Sequence, residues 1–485
     1  MINIKLDGHH FEHDVFELVR VFYPEMPINF IDEHRGILMG IYIESIYDAE
    51  KEKAIARIYE SKEIICEREM KIFKFEYLPD LKNPEVKVIK ASIYEALSVC
   101  TGRRLPWGIL TGIRPVKIGH KLLQLGMERD EANRYLMDLF KLDKKRSDLV
   151  IDIANNQLSY LDYSEGNYSL YINIPFCPSV CVYCSFPTVV IDKYRDRIPQ
   201  YVDRIIEEIH HTKKIMGNSK LYSVYIGGGT PSSIPNKYLA SIIKAVREIL
   251  GDPISGEFTV ECGRADTINT PLLRILSENG VNRISINPQT MNDSTLKIIG
   301  RKHDGEDIIE AFNLAKRLGI ENINMDLIVG LPNEGIDDIK DTFDRVLKLD
   351  PENITVHTLS IKKGSHLRNK TDYKNIGGSE IEEMINYSFD TAIKNSYTPY
   401  YLYRQKNILG NFENIGYSKK SKACIYNILS MEEIQTIVGI GMGAVSKFYF
   451  PKEDRIERVA NFKSLDEYLR RFHEQIGRKE NALDL

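Results

Sequence analysis

The chain has 485 residues, 43% hydrophobic and 28% charged, an ordinary globular composition that excludes disordered, collagen-like and coiled-coil classes. Its 65 Lys+Arg against 69 Asp+Glu give a formal net charge of −4, so no extended phosphate-binding surface and no nucleic-acid partner are expected. Apolar runs such as Ile434–Val445 are too short to span a membrane, and the opening MINIKLDGHH lacks the pattern of a secretory leader, so a cytoplasmic protein is expected.

No repeat or long Pro/Gly/Ser linker divides the chain, and boundaries come from changes of pattern. Residues 1–165 mix strand-like stretches (Ile37–Ile43, Lys71–Tyr77) with helical ones (Ile93–Cys100, Asp130–Phe140). They read as an α+β domain of unknown role. The only tryptophan lies here, in Leu105-Pro106-Trp107-Gly108, and is expected to be a buried structural residue in a turn between helices. From residue 166 the rhythm changes. Strands are predicted at Tyr168–Ile174, Tyr222–Ile226, Glu257–Glu261, Arg283–Ile286, Asn322–Val329 and Asn353–Leu359. Helices are predicted between them at Pro199–Met216, Lys237–Leu250, Pro271–Asn279, Asp304–Leu318 and Ile336–Leu347. Such alternation predicts parallel βα units, here a partial (βα)6 barrel over residues 166–375 in an α/β protein. In such barrels reactive residues gather at the C-terminal ends of the strands. Residues 376–485 bring a helix at Glu380–Asn395, an aromatic run Tyr397–Tyr403 and a glycine-rich segment Val438–Ser446. They read as an extension packing on the barrel, with the polar stretch Arg478–Asn481 expected to fray.

Three of the seven cysteines, Cys177, Cys181 and Cys184, fall within eight residues at the end of the first predicted barrel strand. Spaced by three and then two residues, they suit a loop that wraps a [4Fe–4S] cubane, ligating three irons and leaving the fourth open to a substrate or cofactor. Structural zinc is the next reading, although it wants four ligands and the next His and Cys are His210 and Cys262. Three buried unpaired thiols come last.

CxxxCxxC after a strand resembles the radical S-adenosylmethionine (SAM) superfamily, in which SAM chelates the open iron and is cleaved to a 5′-deoxyadenosyl radical. The lead-in Tyr171-Ile-Asn-Ile-Pro-Phe-Cys177 is similar to the oxygen-independent coproporphyrinogen oxidase group, which includes HemN, HemW and HemZ types and the anaerobilin synthases. Gly227-Gly228-Gly229-Thr230 after the second strand and Glu261 ending the third fit that pattern, as do Gln289, Arg301 and Asp326. A glycine turn allows backbone amides to approach a ligand. The resemblance implies that Tyr171, Gly228 and Glu261 position one SAM, and that Tyr183, Gly229, Thr230, Gln289, Arg301 and Asp326 contact a second. Arg264, Arg404 and Lys406 are candidates to pair with substrate carboxylates. His303 and His357 are possible proton donors more readily explained as structural.

Within the group, the HemN type has a cysteine where this chain has Phe186, and HemW-type heme chaperones have a heme-linked histidine where it has Tyr426. Leu110-Thr-Gly-Ile-Arg-Pro115, Phe258-Thr-Val-Glu261-Cys-Gly-Arg264-Ala-Asp266 and Tyr400-Tyr-Leu-Tyr-Arg404-Gln-Lys406 resemble the HemZ type. This implies oxidative decarboxylation of coproporphyrinogen III to protoporphyrinogen IX, with electrons from a ferredoxin or flavodoxin. Heme ring opening of the anaerobilin-synthase kind and HemW-like heme binding are the alternatives, and each takes a tetrapyrrole as partner.

Overall fold

The computed structural model describes residues 1–483 except 33–39, 61, 73–82, 113, 162–165, 363, 370–376 and 406–407. It divides into two compact units, Met1–Asn155 and Asn156–Leu485.

In the first unit, strands Ile28–Phe30, Ile2–Asp7, Ile41–Asp48, Lys53–Glu60 and Glu63–Lys71 lie side by side in that order. Ile2–Asp7 is parallel to both its neighbours, and the last three strands form an antiparallel meander. Helix Pro84–Thr101 packs across the meander and against helix Glu12–Phe22. Phe22 and Tyr94 meet edge-on there at 5.8 Å. Of the strand predicted at Ile37–Ile43, residues 37–39 lie outside the described residues and the described strand is Ile41–Asp48, and Lys71–Tyr77 lies mostly outside the described residues. Trp107 is buried in the turn that follows helix Pro84–Thr101, as expected. Gly108 holds that turn at φ +51°, where a Cβ would stand 2.1 Å from the Phe140 carbonyl oxygen, so only glycine fits.

The second unit is built on one eleven-stranded sheet. Its centre is the predicted set of six: β1 (Asn167–Ile174), β2 (Lys220–Gly228), β3 (Phe258–Glu261), β4 (Arg283–Ser285), β5 (Asn322–Val329) and β6 (Asn353–Thr358). All are parallel and adjacent in chain order, the partial barrel of an α/β fold. These strands are mostly buried on both faces, as parallel strands covered by helices must be, and they carry polar residues among the apolar ones, Arg283, Asn324 and Thr355 for example. The covering helices include Ile198–Met216, Thr270–Glu278, Gly305–Arg317 and Ile336–Leu349. The second predicted helix is α-helical over Asn236–Ala245 and widens to a π turn over Val246–Leu250.

The later strands continue the same sheet at both edges. β7 (Thr398–Tyr403) and β8 (Asn414–Ser418) join antiparallel beyond β6. β9 (Thr436–Ile440) runs parallel to β1, followed by antiparallel β10 (Val445–Phe450) and β11 (Arg455–Ala460). Register puts Tyr171 of β1 between Tyr225 of β2 and Gly439 of β9. The polar stretch Arg478–Asn481 is not frayed. It lies inside helix Phe472–Leu483, and Lys479 is 1% exposed because its ammonium is paired with Glu208 at 2.7 Å. Among the described residues no helix is long and apolar enough to cross a membrane.

Candidate active site

At the C-terminal ends of the parallel strands lies a cavity of about 380 Å³. Every residue predicted to hold the cluster or SAM lines it: Cys177, Cys181, Cys184, Tyr171, Tyr183, Gly228, Gly229, Thr230, Glu261, Gln289, Arg301 and Asp326.

The cysteine loop leaves β1 through Phe176–Cys177, which pair with Val189–Val190. Arg264 ties the loop down, donating to the Ser179 carbonyl at 3.2 Å and hydroxyl at 2.8 Å. Ser179 in turn donates to the Gly300 carbonyl at 3.1 Å. Arg264 is itself held by both oxygens of Asp266, and His303 Nδ1 stands 3.4 Å from that carboxylate. Burial alone would raise Asp266, but His303 and Arg264 overcome it and hold the carboxyl well below its usual range. Arg264 therefore lines the cavity with its guanidinium already committed, so a support for the cysteine loop replaces the substrate contact expected of it. His303 belongs to the same support.

Cys177 and Cys181 are buried, Cys184 half-buried, and none is in a disulfide. Burial pushes the Cys177 thiol up to about 11 and raises Cys184 as well. Thiols in such a place ionise readily only when a metal supplies positive charge. Among the described residues no three His, Cys, Asp or Glu side chains are grouped to hold a single ion. Structural zinc wants four ligands, whereas three thiolates ligate three irons of a cubane and leave the fourth open. The donor set fits the cluster and disfavours zinc. A bare glycine face abuts it: a Cβ on Gly229 would lie 2.9 Å from Cys177 Sγ, and Thr230 Oγ1 donates to that sulfur over 3.5 Å.

The turn after β2 departs from expectation in one respect. Its amides do not face the cavity: Gly228 N–H donates to Glu261, Gly229 N–H to Ile174 and Thr230 N–H to Phe176. What the turn contributes is the absence of side chains. Gly228 sits at φ +114°, where a Cβ would meet Asn173 Oδ1 at 2.2 Å. Glu261 is half-buried beside it and accepts from Tyr225 Oη at 2.6 Å. Burial raises its carboxyl to about 7 even though Tyr225 and the Gly228 amide favour the ionised form.

The opposite wall is polar. Arg301 donates to the Gly263 and Asn287 carbonyls at 2.7 and 3.1 Å and to Tyr183 Oη at 3.1 Å. Gln289, a non-glycine residue at φ +69°, bonds to β5 through its backbone, local strain of the kind that accumulates at functional sites. Asp326 accepts from Asn324 at 2.7 Å and faces His357 Nε2 at 3.7 Å. Burial pushes Asp326 up, but His357 and Asn324 outweigh it and the carboxyl is lowered. His357 Nδ1 in turn meets Tyr403 Oη at 3.1 Å, and Gln405 donates to that oxygen at 3.3 Å.

Of the remaining substrate candidates, Arg404 is not among the cavity-lining residues. It is buried and donates to the Asn411 carbonyl at 2.9 Å. Lys406 lies outside the described residues. Sequence reasoning missed Tyr225, Asn173, Asn287, Asn324 and Tyr403, because neighbours across strands are visible only once register is known.

The chain is similar to several known proteins. Residues 171–346 match the Radical SAM superfamily. The chain is 39% identical over 424 residues to the oxygen-independent coproporphyrinogen-III oxidase-like protein HemZ of Bacillus subtilis, covering 84% of each chain. It is 35% identical to the heme chaperone HemW of B. subtilis over 40% of this chain and 51% of that one. Among solved structures, coproporphyrinogen III oxidase (HemN) of Escherichia coli superposes with a TM-score of 0.53 at 21% identity, over 67% of this chain and 73% of the other. The chain therefore belongs to the radical SAM superfamily and, within it, to the oxygen-independent coproporphyrinogen-III oxidase-like enzymes of the HemZ kind, a family that works with a [4Fe–4S] cluster and SAM.

Proposed function

We propose that this enzyme oxidatively decarboxylates propionate side chains of coproporphyrinogen III to vinyl groups, giving protoporphyrinogen IX. The observation that carries the reading is a single cavity joining the cysteine loop, the glycine turn and the polar wall of Gln289, Arg301 and Asp326, in a chain that matches HemZ over 84% of its length. Cluster and SAM together would supply a 5′-deoxyadenosyl radical able to remove a hydrogen atom from a propionate β-carbon, after which carbon dioxide leaves and the remaining electron passes to a one-electron acceptor, leaving a vinyl group. Cys177, Cys181 and Cys184 hold the cluster. Glu261 pairs with the SAM amino group, Gly228 allows close approach, and Tyr171 walls that side. Tyr183, Gly229, Thr230, Gln289, Arg301 and Asp326 take a second SAM. A ferredoxin or flavodoxin supplies electrons.

Anaerobic reconstitution with SAM, reductant and coproporphyrinogen III, followed by mass spectrometry, tests this. The expected result is vinyl-bearing product with 5′-deoxyadenosine. Deoxyadenosine without porphyrinogen turnover rejects the substrate and moves the reading to heme ring opening, tested by supplying heme. The chaperone reading is disfavoured by Tyr426, which is buried and stacked on Tyr225 at 4.6 Å and Tyr171 at 6.0 Å, a packing residue where a heme ligand would be needed.

Glu261 adds a pH prediction. A carboxyl raised to about 7 is neutral below that pH and cannot pair with a cationic amino group. SAM affinity is expected to rise as pH increases through 7, falling about tenfold per unit below it. Anaerobic calorimetry from pH 6 to 8 reads the slope, and Glu261→Gln should flatten it. A slope unchanged in that variant would remove Glu261 from this role.

A further inference from the structure

A substrate with several carboxylates needs cations, and three line the described cavity: Arg264, Arg301 and Lys362. Arg264 is committed to Asp266 and Ser179, and Arg301 donates through both terminal nitrogens to two carbonyls and Tyr183, with only its buried Nε left without a partner. The Lys362 ammonium is half-buried and has no hydrogen-bond or ion-pair partner among the described residues. It is also held in place. The loop after β6 that carries it is pinned to the cysteine loop by Ser365 Oγ and Leu367 N–H, which donate to the Val182 carbonyl at 3.0 and 2.9 Å.

Lys362 has a neighbour of complementary character. Phe186 lines the same cavity and is 68% exposed, the most exposed large apolar side chain among the described residues. Its backbone N–H bonds to Cys184, the residue whose charge Lys362 also senses. A lone exposed phenylalanine on a surface means little. One at the rim of a cavity, beside an unpaired cation, makes an apolar face next to an anion site.

We infer that Lys362 and Phe186 form the docking mouth for a tetrapyrrole, Lys362 pairing with a propionate carboxylate and Phe186 lying against the macrocycle. The inference rests on the reading above and names the residues that recognise its substrate. Macrocycles with carboxylate arms offer both chemistries at once, an ion pair and apolar ring area.

The test is fluorescence titration of cluster-reconstituted protein with coproporphyrin III, the air-stable tetracarboxylate, and with its uncharged tetramethyl ester. Lys362→Met should raise the coproporphyrin Kd about tenfold, the equivalent of roughly 1.4 kcal/mol, and leave the ester unchanged. Lys362→Arg should restore the acid. Phe186→Ala should weaken acid and ester alike. A Lys362→Met protein that binds coproporphyrin as tightly as the parent overturns the inference. So does equal loss for acid and ester, or a change confined to the cluster reduction potential, which would make Lys362 a partner of the cluster. If the parent binds coproporphyrin but releases no carbon dioxide from coproporphyrinogen, the proposed reaction falls while the docking mouth stands. If it binds only hemin, the same variants are read with that dicarboxylate, and insensitivity there overturns the inference.

Discussion

Gly229→Ala is expected to leave the protein folded but unable to retain its cluster. Here the obstacle is space. The added Cβ would stand 2.8 Å from the Phe176 oxygen and from the Pro175 carbonyl carbon, and 2.9 Å from Cys177 Sγ. Two of those three are backbone atoms at the root of the cysteine loop, and they cannot rotate away. The loop must shift, and Cys177 with it. Cubane ligation tolerates displacements of only a few tenths of an ångström, so the shift should cost about 10- to 100-fold in cluster retention and SAM cleavage, as supporting-residue changes around metals do. Gly335→Ala is the control, since its Cβ would meet nothing within 4 Å. Iron content, visible absorbance and 5′-deoxyadenosine formation read the effect, with circular dichroism to show the fold. Cys181→Ala should lose cluster and cleavage outright. A Gly229→Ala protein with full iron and cleavage would show that the loop is not crowded, and one that fails to fold would move the glycine's role from site to scaffold.

The barrel and the cysteines were legible in the sequence because their signals are local. The strand-then-helix rhythm repeats within each βα unit, and Cys177, Cys181 and Cys184 lie in one contiguous loop. Gly228 and Glu261 were legible for the same reason, each ending a strand. The rest depends on groups far apart in the chain. Arg264 looked like a free cation because its anchor at Ser179 lies 85 residues away. Lys362 was overlooked because nothing around it in the sequence marks a cavity wall. The edge strands β7–β11 follow turns and polar alternation, a weaker pattern than the buried strands give, and the first unit's sheet begins with strands too short to stand out. Arg478–Asn481 misled most plainly: a lysine in a polar stretch reads as solvated until its partner, 271 residues earlier, is known.

That pair supports the second large prediction. Glu208 and Lys479 are each 1% exposed. Lys479 donates to Glu208 at 2.7 Å and to the Gly439 carbonyl at 2.6 Å. Glu208 also accepts from Tyr468 Oη and the Gly441 amide, both at 2.7 Å, and from Asn461 at 3.0 Å. Lys479→Met removes the cation and leaves a buried carboxylate without countercharge, which typically costs 3–5 kcal/mol. In a domain of this size that lowers the melting temperature by roughly 5–10 °C. Removing the charge as well, in Glu208→Gln/Lys479→Met, should recover much of the loss, whereas a merely spatial defect would not recover. The damage should also reach the site. Glu208 fixes Gly441, the next residue Met442 donates to Tyr201 Oη, and Tyr201 donates to the Asn173 carbonyl at 2.7 Å. Asn173 closes the circuit to the Met442 carbonyl and accepts from Tyr171 Oη at 3.1 Å. Loosening Gly441 therefore frees Asn173 and, through it, Tyr171 on the wall assigned to the first SAM. Lys479→Met measured well below its melting temperature should bind SAM more weakly than the parent while keeping its iron. Unchanged melting would mean that water or a local rearrangement satisfies Glu208, and unchanged SAM affinity in a destabilised protein would confine the pair to holding the C-terminal helix.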